Sequence, residues 1–359
     1  MSEKSGKFLT DEKAVPTGKR LALGLGKLLL VLLETAALLL ILLYGALLIV
    51  TKGPSPAAKK LFVMSVKETS AMGFLADWFL APEEIAEITQ VRLEEDIQTD
   101  TSLVRLPQET VSAESGQADA WGLVDEDGDG IIVERVTGSG YSGFMMIVQD
   151  PTRVIMGAVP ESFGAKGYTV AEMVEKFDAV AGINAGGFYD PNGTGNGSIP
   201  DSMVVFEGKA YYSGTRHGFV GLDSNAILHV GSPTKENLET MDIQYGVSFG
   251  PVLVANGESV LPEDTASGLN PRTAIGQRSD GAILLLVIDG RQVVSLGATL
   301  LDLADIMLKY GAVNACNLDG GSSSLMWFGG DYINNCASVI GIRPVPTTFL
   351  VLKEGTHGS

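Results

Sequence analysis

Gly311-Ala312-Val313-Asn314-Ala315-Cys316-Asn317-Leu318-Asp319-Gly320-Gly321-Ser322-Ser323-Ser324 is the stretch on which the reading of this chain turns. A small-apolar segment, the length of a short buried strand, breaks into Asn317, Asp319, two glycines and three serines. Apolar residues hold the first half in a core, so the polar residues emerge together at its end. Gly320 and Gly321 can adopt φ > 0 and let a ligand come close to the backbone. Freed N–H groups in such a turn form an anion-binding nest, and Asp319 adds a carboxylate beside it. Just upstream, Thr299 to Tyr310 reads as a helix, capped by Thr299 with Asp302 at the third position and stopped by Gly311. Leu300, Leu303, Ile306, Met307 and Tyr310 give it an apolar face at helical spacing.

The same plan occurs earlier. Thr169-Val170-Ala171-Glu172 opens a helix running to about Phe177 with a capping box. The strand Ala179-Val180-Ala181-Gly182-Ile183 follows, then Asn184-Ala185-Gly186-Gly187-Phe188-Tyr189-Asp190. Two Thr-capped helices thus each feed an Ala-Val strand that ends in Asn and Gly-Gly. The pairing places both strand ends at one site, because ligand sites commonly lie on loops beyond strand ends. A single corner of this kind would read as an ordinary Asn/Gly turn.

Composition narrows the rest. The chain has 359 residues and a net charge of −18, which argues against nucleic acid as a partner. Two cysteines, Cys316 and Cys336, do not make a disulfide framework; two buried free thiols are expected, one bridge being the alternative. With His217, His229 and His357 scattered, no metal-ligand spacing is visible and no cofactor is expected, although Asp and Asn oxygens can bind a divalent ion without a motif. Asp125-Glu126-Asp127-Gly128-Asp129-Gly130 starts like a calcium loop, but Val136 stands where the closing Glu belongs, so an Asp-Gly strand turn is expected.

The N-terminal part reads as an anchor. Residues 1–27 are polar, with more Lys and Arg than acids, and 28–50 are almost wholly apolar and long enough to span a bilayer. The basic residues before the span favour a cytoplasmic N-terminus, so a single-pass signal anchor with everything after it extracytoplasmic is expected. Residues 51–120 read as a helical juxtamembrane region with a flexible linker from 99 to 120. From Trp121 short strands alternate with Gly-rich turns: Ile131 to Val136, Gly143 to Val148, Val204 to Glu207, Ala226 to Val230, Pro251 to Ala255 and Ala282 to Ile288. With few helices among them, an α+β domain with a mixed β-sheet is expected over 121–353.

Two further pieces carry chemistry. Arg272, in Asn270-Pro271-Arg272-Thr273-Ala274-Ile275-Gly276, is a candidate oxyanion or phosphate clamp because its fork makes bidentate contacts, with a surface ion pair as the alternative. Asp289 ends an apolar strand in Asp289-Gly290-Arg291 and is a candidate catalytic carboxylate, with a plain Asp-Gly turn as the alternative.

Together, Asn184-Ala185-Gly186-Gly187-Phe188, Pro271-Arg272-Thr273-Ala274-Ile275-Gly276, Asp289-Gly290 and Asn317-Leu318-Asp319-Gly320-Gly321 resemble the phosphodiester glycosidase family. Arg343-Pro344-Val345 resembles its closing strand, and Ser322 stands where the family usually has a third glycine. The resemblance implies hydrolysis of a sugar-1-phosphodiester in an envelope or exported glycan. In that reading Arg272 and the glycine-loop amides stabilise the leaving phosphate. Asp319 or Asp289 acts as base or nucleophile, with Asp319 favoured for the chemistry and Asp289 for orientation. Asn184, Gly186, Gly187, Asn317, Gly320, Gly321 and Ser322 hold the glycan or sugar phosphate, and His217 is an outside candidate for the acid. A glycan-binding or scaffold protein on the same fold is the rival reading; a nuclease-type phosphodiesterase would be expected to use a metal cluster.

Overall fold

The computed structural model describes residues 17–69, 72–89, 97–106, 116, 118–190, 195–212, 218–338 and 340–355. It contains two compact units, Met1–Lys59 and Lys60–Ser359. In the first, helix α1 spans Thr17–Lys52, and its segment Gly24–Lys52 is long and apolar enough to cross a membrane. The hydroxyls of Thr35 and Thr51 donate to the carbonyls of Val31 (2.8 Å) and Leu47 (2.7 Å) one turn back. That leaves neither hydroxyl in need of water inside an apolar helix.

The second unit opens with helix α2 (Pro56–Lys67, entering from the first), then α3 (Phe74–Phe79) and α4 (Pro82–Thr89). Val63, Val66, Ala76, Leu80 and Ile85 form a small core among them. Phe74 and Trp78 remain largely outside it, edge to face at 5.0 Å. The expectation of a flexible linker over 99–120 is corrected where residues are described. Thr99 bonds to the backbone of Val230, the Asp100 amide donates to Asn256 Oδ1 (2.8 Å), and the Arg105 amide donates to the Ser279 carbonyl (2.8 Å). Val104 is buried. Residues 99–105 are thus held by backbone and side-chain hydrogen bonds together with the buried Val104.

The strands follow in chain order. They are β1 (Ile131–Gly138), β2 (Tyr141–Val148), β3 (Val154–Ala158), and, after helix α5 (Val170–Lys176), β4 (Ala179–Asn184). Next come β5 (Val204–Phe206), β6 (Lys209–Tyr211), β7 (Phe219–Asp223) and β8 (Leu228–Gly231), then helix α6 (Lys235–Thr240). The next group is β9 (Ile243–Ser248), β10 (Val252–Ala255), β11 (Glu258–Ser259), β12 (Arg272–Arg278) and β13 (Ile283–Ile288). Helix α7 (Leu300–Lys309), β14 (Ala312–Leu318), β15 (Met326–Phe328), β16 (Asp331–Tyr332) and β17 (Thr347–Leu352) complete the unit. A seven-stranded sheet runs β1-β2-β13-β12-β14-β10-β11, and two five-stranded sheets run β16-β15-β4-β17-β3 and β6-β5-β9-β7-β8. The class is α+β, as expected, and every pairing between these strands is antiparallel.

The apolar run of β13 explains the layering. Successive side chains of a strand face opposite sides. Ile283, Leu285 and Val287 join a core shared with strands of the other two sheets, while Leu284, Leu286 and Ile288 join a second core under α7. A strand covered on both faces has no need of polar alternation. Both expected helix starts form: the Thr169 hydroxyl accepts from the Glu172 amide (3.2 Å) and the Thr299 hydroxyl from the Asp302 amide (3.1 Å), each in a complete capping box.

Two smaller expectations are corrected. Asp125 to Gly130 is a looped lead-in to β1 and not a hairpin turn: the Asp125 carboxylate accepts from the amides of Gly128 and Gly130 (both 2.9 Å). Cys316 and Cys336 are both free, but only Cys316 is fully buried.

Candidate active site

β4 and β14 lie in different sheets, yet their polar ends meet. The Asn184 side chain donates to the Asp319 carbonyl (2.6 Å), and the Asp319 amide donates to the Ala185 carbonyl (2.9 Å). Asn184 is fully buried, and its Oδ1 accepts from the Thr273 hydroxyl (2.9 Å) and the Leu325 amide (3.2 Å). One side chain therefore ties both Gly-Gly corners to the start of β12.

A cavity of about 450 Å³ opens at this junction. Of the residues singled out from the sequence, Gly187, Arg272, Asn317, Asp319, Gly320, Gly321 and Ser322 line it. Asn184 stands behind the wall, as does Gly186, whose amide donates to the Thr347 hydroxyl (2.9 Å). Asp289 does not line it. Its buried carboxylate accepts from the Asn334 side chain (3.1 Å) and from the Asn335 amide (2.9 Å) and side chain (3.1 Å). Those bonds hold the loop after β16. His217 lies outside the described residues.

The glycine corner is built for close contact. Gly321 has φ +63°, and its amide donates to the Pro271 carbonyl (2.8 Å). A Cβ there would lie 3.2 Å from a terminal nitrogen of Arg291. Arg291 is a lining residue that the sequence reading passed over, although it directly follows the quoted Asp289-Gly290. It reaches the Ser322 hydroxyl (3.4 Å), the Asn270 Oδ1 (3.2 Å) and the Thr69 hydroxyl (2.9 Å). The hydroxyl that replaces the family's third glycine is therefore a partner of this guanidinium. Burial, and then the charge of Arg272 beside it, lowers the pKa of Arg291 from its usual value.

Arg272 is buried at the wall. Its Nε donates to the Ala298 carbonyl (3.1 Å), and one terminal nitrogen donates to the Gly268 carbonyl (2.8 Å) and to Glu68 (2.6 Å). Arg343 lines the cavity with Asp190 (2.8 Å) as partner, 5.0 Å from the centre of the Phe188 ring. Asn317 is nearly fully buried; its Nδ2 donates to the Gly250 carbonyl (2.8 Å), while its Oδ1 and the Nε of Arg343 find no partner among the described residues. Glu68 was invisible as a lining residue because it comes from a turn some 200 residues away in sequence.

The arrangement offers a carboxylate beside a glycine turn, two neighbouring guanidiniums, and a wall carrying both aromatic and hydrogen-bonding groups. Residues 177–352 match the family model described as phosphodiester glycosidase. A prophage-derived protein of Bacillus subtilis, YomE, is 30% identical over 203 residues, covering 53% of this chain and 30% of its own length. The N-acetylglucosamine-1-phosphodiester alpha-N-acetylglucosaminidase of Bos taurus is 43% identical over 56 residues, covering 16% of this chain and 10% of its own length. The chain thus spans less than a third of each of these curated relatives. Among solved structures, the catalytic domain of the zebrafish N-acetylglucosamine-1-phosphodiester alpha-N-acetylglucosaminidase, auto-inhibited by its pro-peptide, superposes with a TM-score of 0.53 at 19% identity. That match covers 62% of this chain and 82% of that one, and it shows a shared fold. Residues 177–352, just under half of the chain, thus form a domain that matches the phosphodiester glycosidase family.

Proposed function

We propose that this protein is a membrane-held hydrolase that cleaves the bond between the anomeric carbon of a sugar and a phosphodiester oxygen, on a glycan outside the cytoplasm. The carrying observation is the meeting of Asp319, Arg272, Arg291 and the Gly320–Ser322 turn around one cavity. In the reaction the C1–O bond breaks, water supplies the new hydroxyl at C1, and the former diester leaves as a phosphomonoester. A phosphate departs with its charge already spread over several oxygens, so the site needs fixed positive charge more than a strong acid. Arg272 supplies it, held by the Ala298 and Gly268 carbonyls before substrate arrives. Asp319 removes a proton from water or attacks C1 itself. Phe188, Asn317 and Arg343 line the cavity and supply an aromatic face and polar groups for a pyranose.

The apolar helix α1 supports the membrane-held part of this reading. Incubating the full chain, in detergent, with a panel of sugar-1-phosphodiesters tests it. Reducing sugar and phosphomonoester should appear in equal amounts. Binding of the panel without turnover would favour the scaffold reading instead.

A further inference from the structure

The cavity of this structure already holds an anion of the chain's own. Glu68, in the turn after α2, reaches into it, and its two oxygens are met by three donors. Oε1 accepts from the Gly268 amide (3.1 Å), and Oε2 accepts from the Asn270 side chain (2.9 Å) and from Arg272 (2.6 Å). None of these donors depends on Glu68 for its position. Arg272 is fixed by two carbonyls, and Asn270 and Gly268 lie on the segment leading into β12. Arg291, beside Arg272, forms no salt bridge among the described residues and reaches the Asn270 Oδ1.

We propose that the Gly268 amide, the Asn270 side chain and Arg272, flanked by Arg291, form the site for a phosphate group, and that the Glu68 carboxylate is an internal occupant that competes for it. A carboxylate presents two oxygens to a guanidinium fork as a phosphate edge does. A phosphate adds a further oxygen and, as a monoester, a larger charge, which the second guanidinium accommodates. Naming that phosphate as part of a sugar diester rests on the proposed function; the anion site itself does not.

The occupant is seated backbone against backbone. A Cβ on Gly268 would lie 2.3 Å from the Ser65 Cα and 2.4 Å from its nitrogen, so only glycine lets the end of α2 approach this closely. Three polar contacts hold the seat beside Glu68. The Leu269 amide donates to the Ser65 hydroxyl (3.0 Å), Arg291 donates to the Thr69 hydroxyl (2.9 Å), and Lys60 donates to the Asp264 carbonyl.

The test uses the full chain in detergent and inorganic phosphate as the probe, read by calorimetry and by the rise in melting temperature with added phosphate. Glu68→Gln keeps the shape of the side chain and removes its charge. It should bind phosphate at least tenfold more tightly than the unaltered chain, and adding Arg272→Lys should cancel the gain. Gly268→Ala, which forces the Ser65 backbone away but keeps the amide, Asn270 and Arg272, should show the same gain. It stands as a second route if Glu68→Gln folds poorly. Unchanged phosphate affinity in both folded variants would overturn the site. A hundredfold loss of turnover in Glu68→Gln would overturn the competitor, because Glu68 would then be a working carboxylate. A gain in phosphate binding with no hydrolysis of any diester would keep the anion site and reject the hydrolase. Hydrolysis without that gain would do the reverse.

Discussion

Asn184→Asp changes one polar group at the joint between the two glycine corners and should make the fold of the whole chain pH-dependent. The native amide donates to the Asp319 carbonyl at 2.6 Å while its oxygen accepts from Thr273 and Leu325. An ionised Asp at this fully buried position would set one acceptor against another and bury an unpaired charge. A protonated Asp can donate to the same carbonyl, so the neutral form restores the native pattern. Burial of this kind raises a carboxyl pKa by about 3–5 units, at roughly 1.4 kcal/mol per unit, or about 4–7 kcal/mol in all. The folded pKa then lies above the unfolded value, so the folded state holds the proton more tightly. Relative to the native chain, stability should be near normal below about pH 4, fall as pH rises, and level off above about pH 7–9. Urea unfolding of variant and native chain at a series of pH values gives this difference directly. A difference that is the same at every pH would refute the reasoning, because Asn184 would then not be a buried donor to Asp319.

Other outcomes follow from single contacts. Gly321→Ala puts a side chain at φ +63° against Arg291 and should cost about 1–2 kcal/mol, seen as a lower melting temperature. Asp119 is half sheltered, and although burial alone would raise its carboxyl pKa, the amides of Leu123 and Trp121 and the Arg278 guanidinium lower it overall. Its contribution should be present above the unfolded value of about 4 and be lost as pH falls through the lowered folded value, and Asp119→Asn should flatten acid unfolding in that window. Burial pushes the Cys316 thiol up to about 12, so a maleimide at neutral pH should label Cys336 and spare Cys316 until the chain unfolds, as peptide mass analysis would show.

Much of the fold was legible because local signals agreed with one another. The Thr169 and Thr299 caps, the Gly311 stop and the unbroken apolar run of β13 each had one sensible reading, and each formed as read. The matching order of helix, Ala-Val strand and Asn/Gly-Gly corner implied that both strand ends open onto one site, and in the structure the Asp319 amide donates to the Ala185 carbonyl. An Asp-Gly at a strand end, such as Asp289-Gly290, looks the same in sequence whether it faces a cavity or anchors a loop. Only the partners Asn334 and Asn335, some 45 residues on, separate the two cases. Glu68 and Arg291 escaped for a related reason. Their importance comes from contacts across 204 and 31 residues, to Arg272 and Ser322, and no local period encodes such meetings.

The central claim is that Asp319 and Arg272 act on one sugar phosphodiester in one cavity. Steady-state hydrolysis of a sugar-1-phosphodiester by the native full chain, by Asp319→Asn and by Arg272→Ala tests it most directly. The account predicts release of the free sugar by the native chain, with turnover falling about 10²–10⁴-fold without the carboxylate and about 10²–10³-fold without the guanidinium. Native rates in both variants, each shown to be folded, would contradict it.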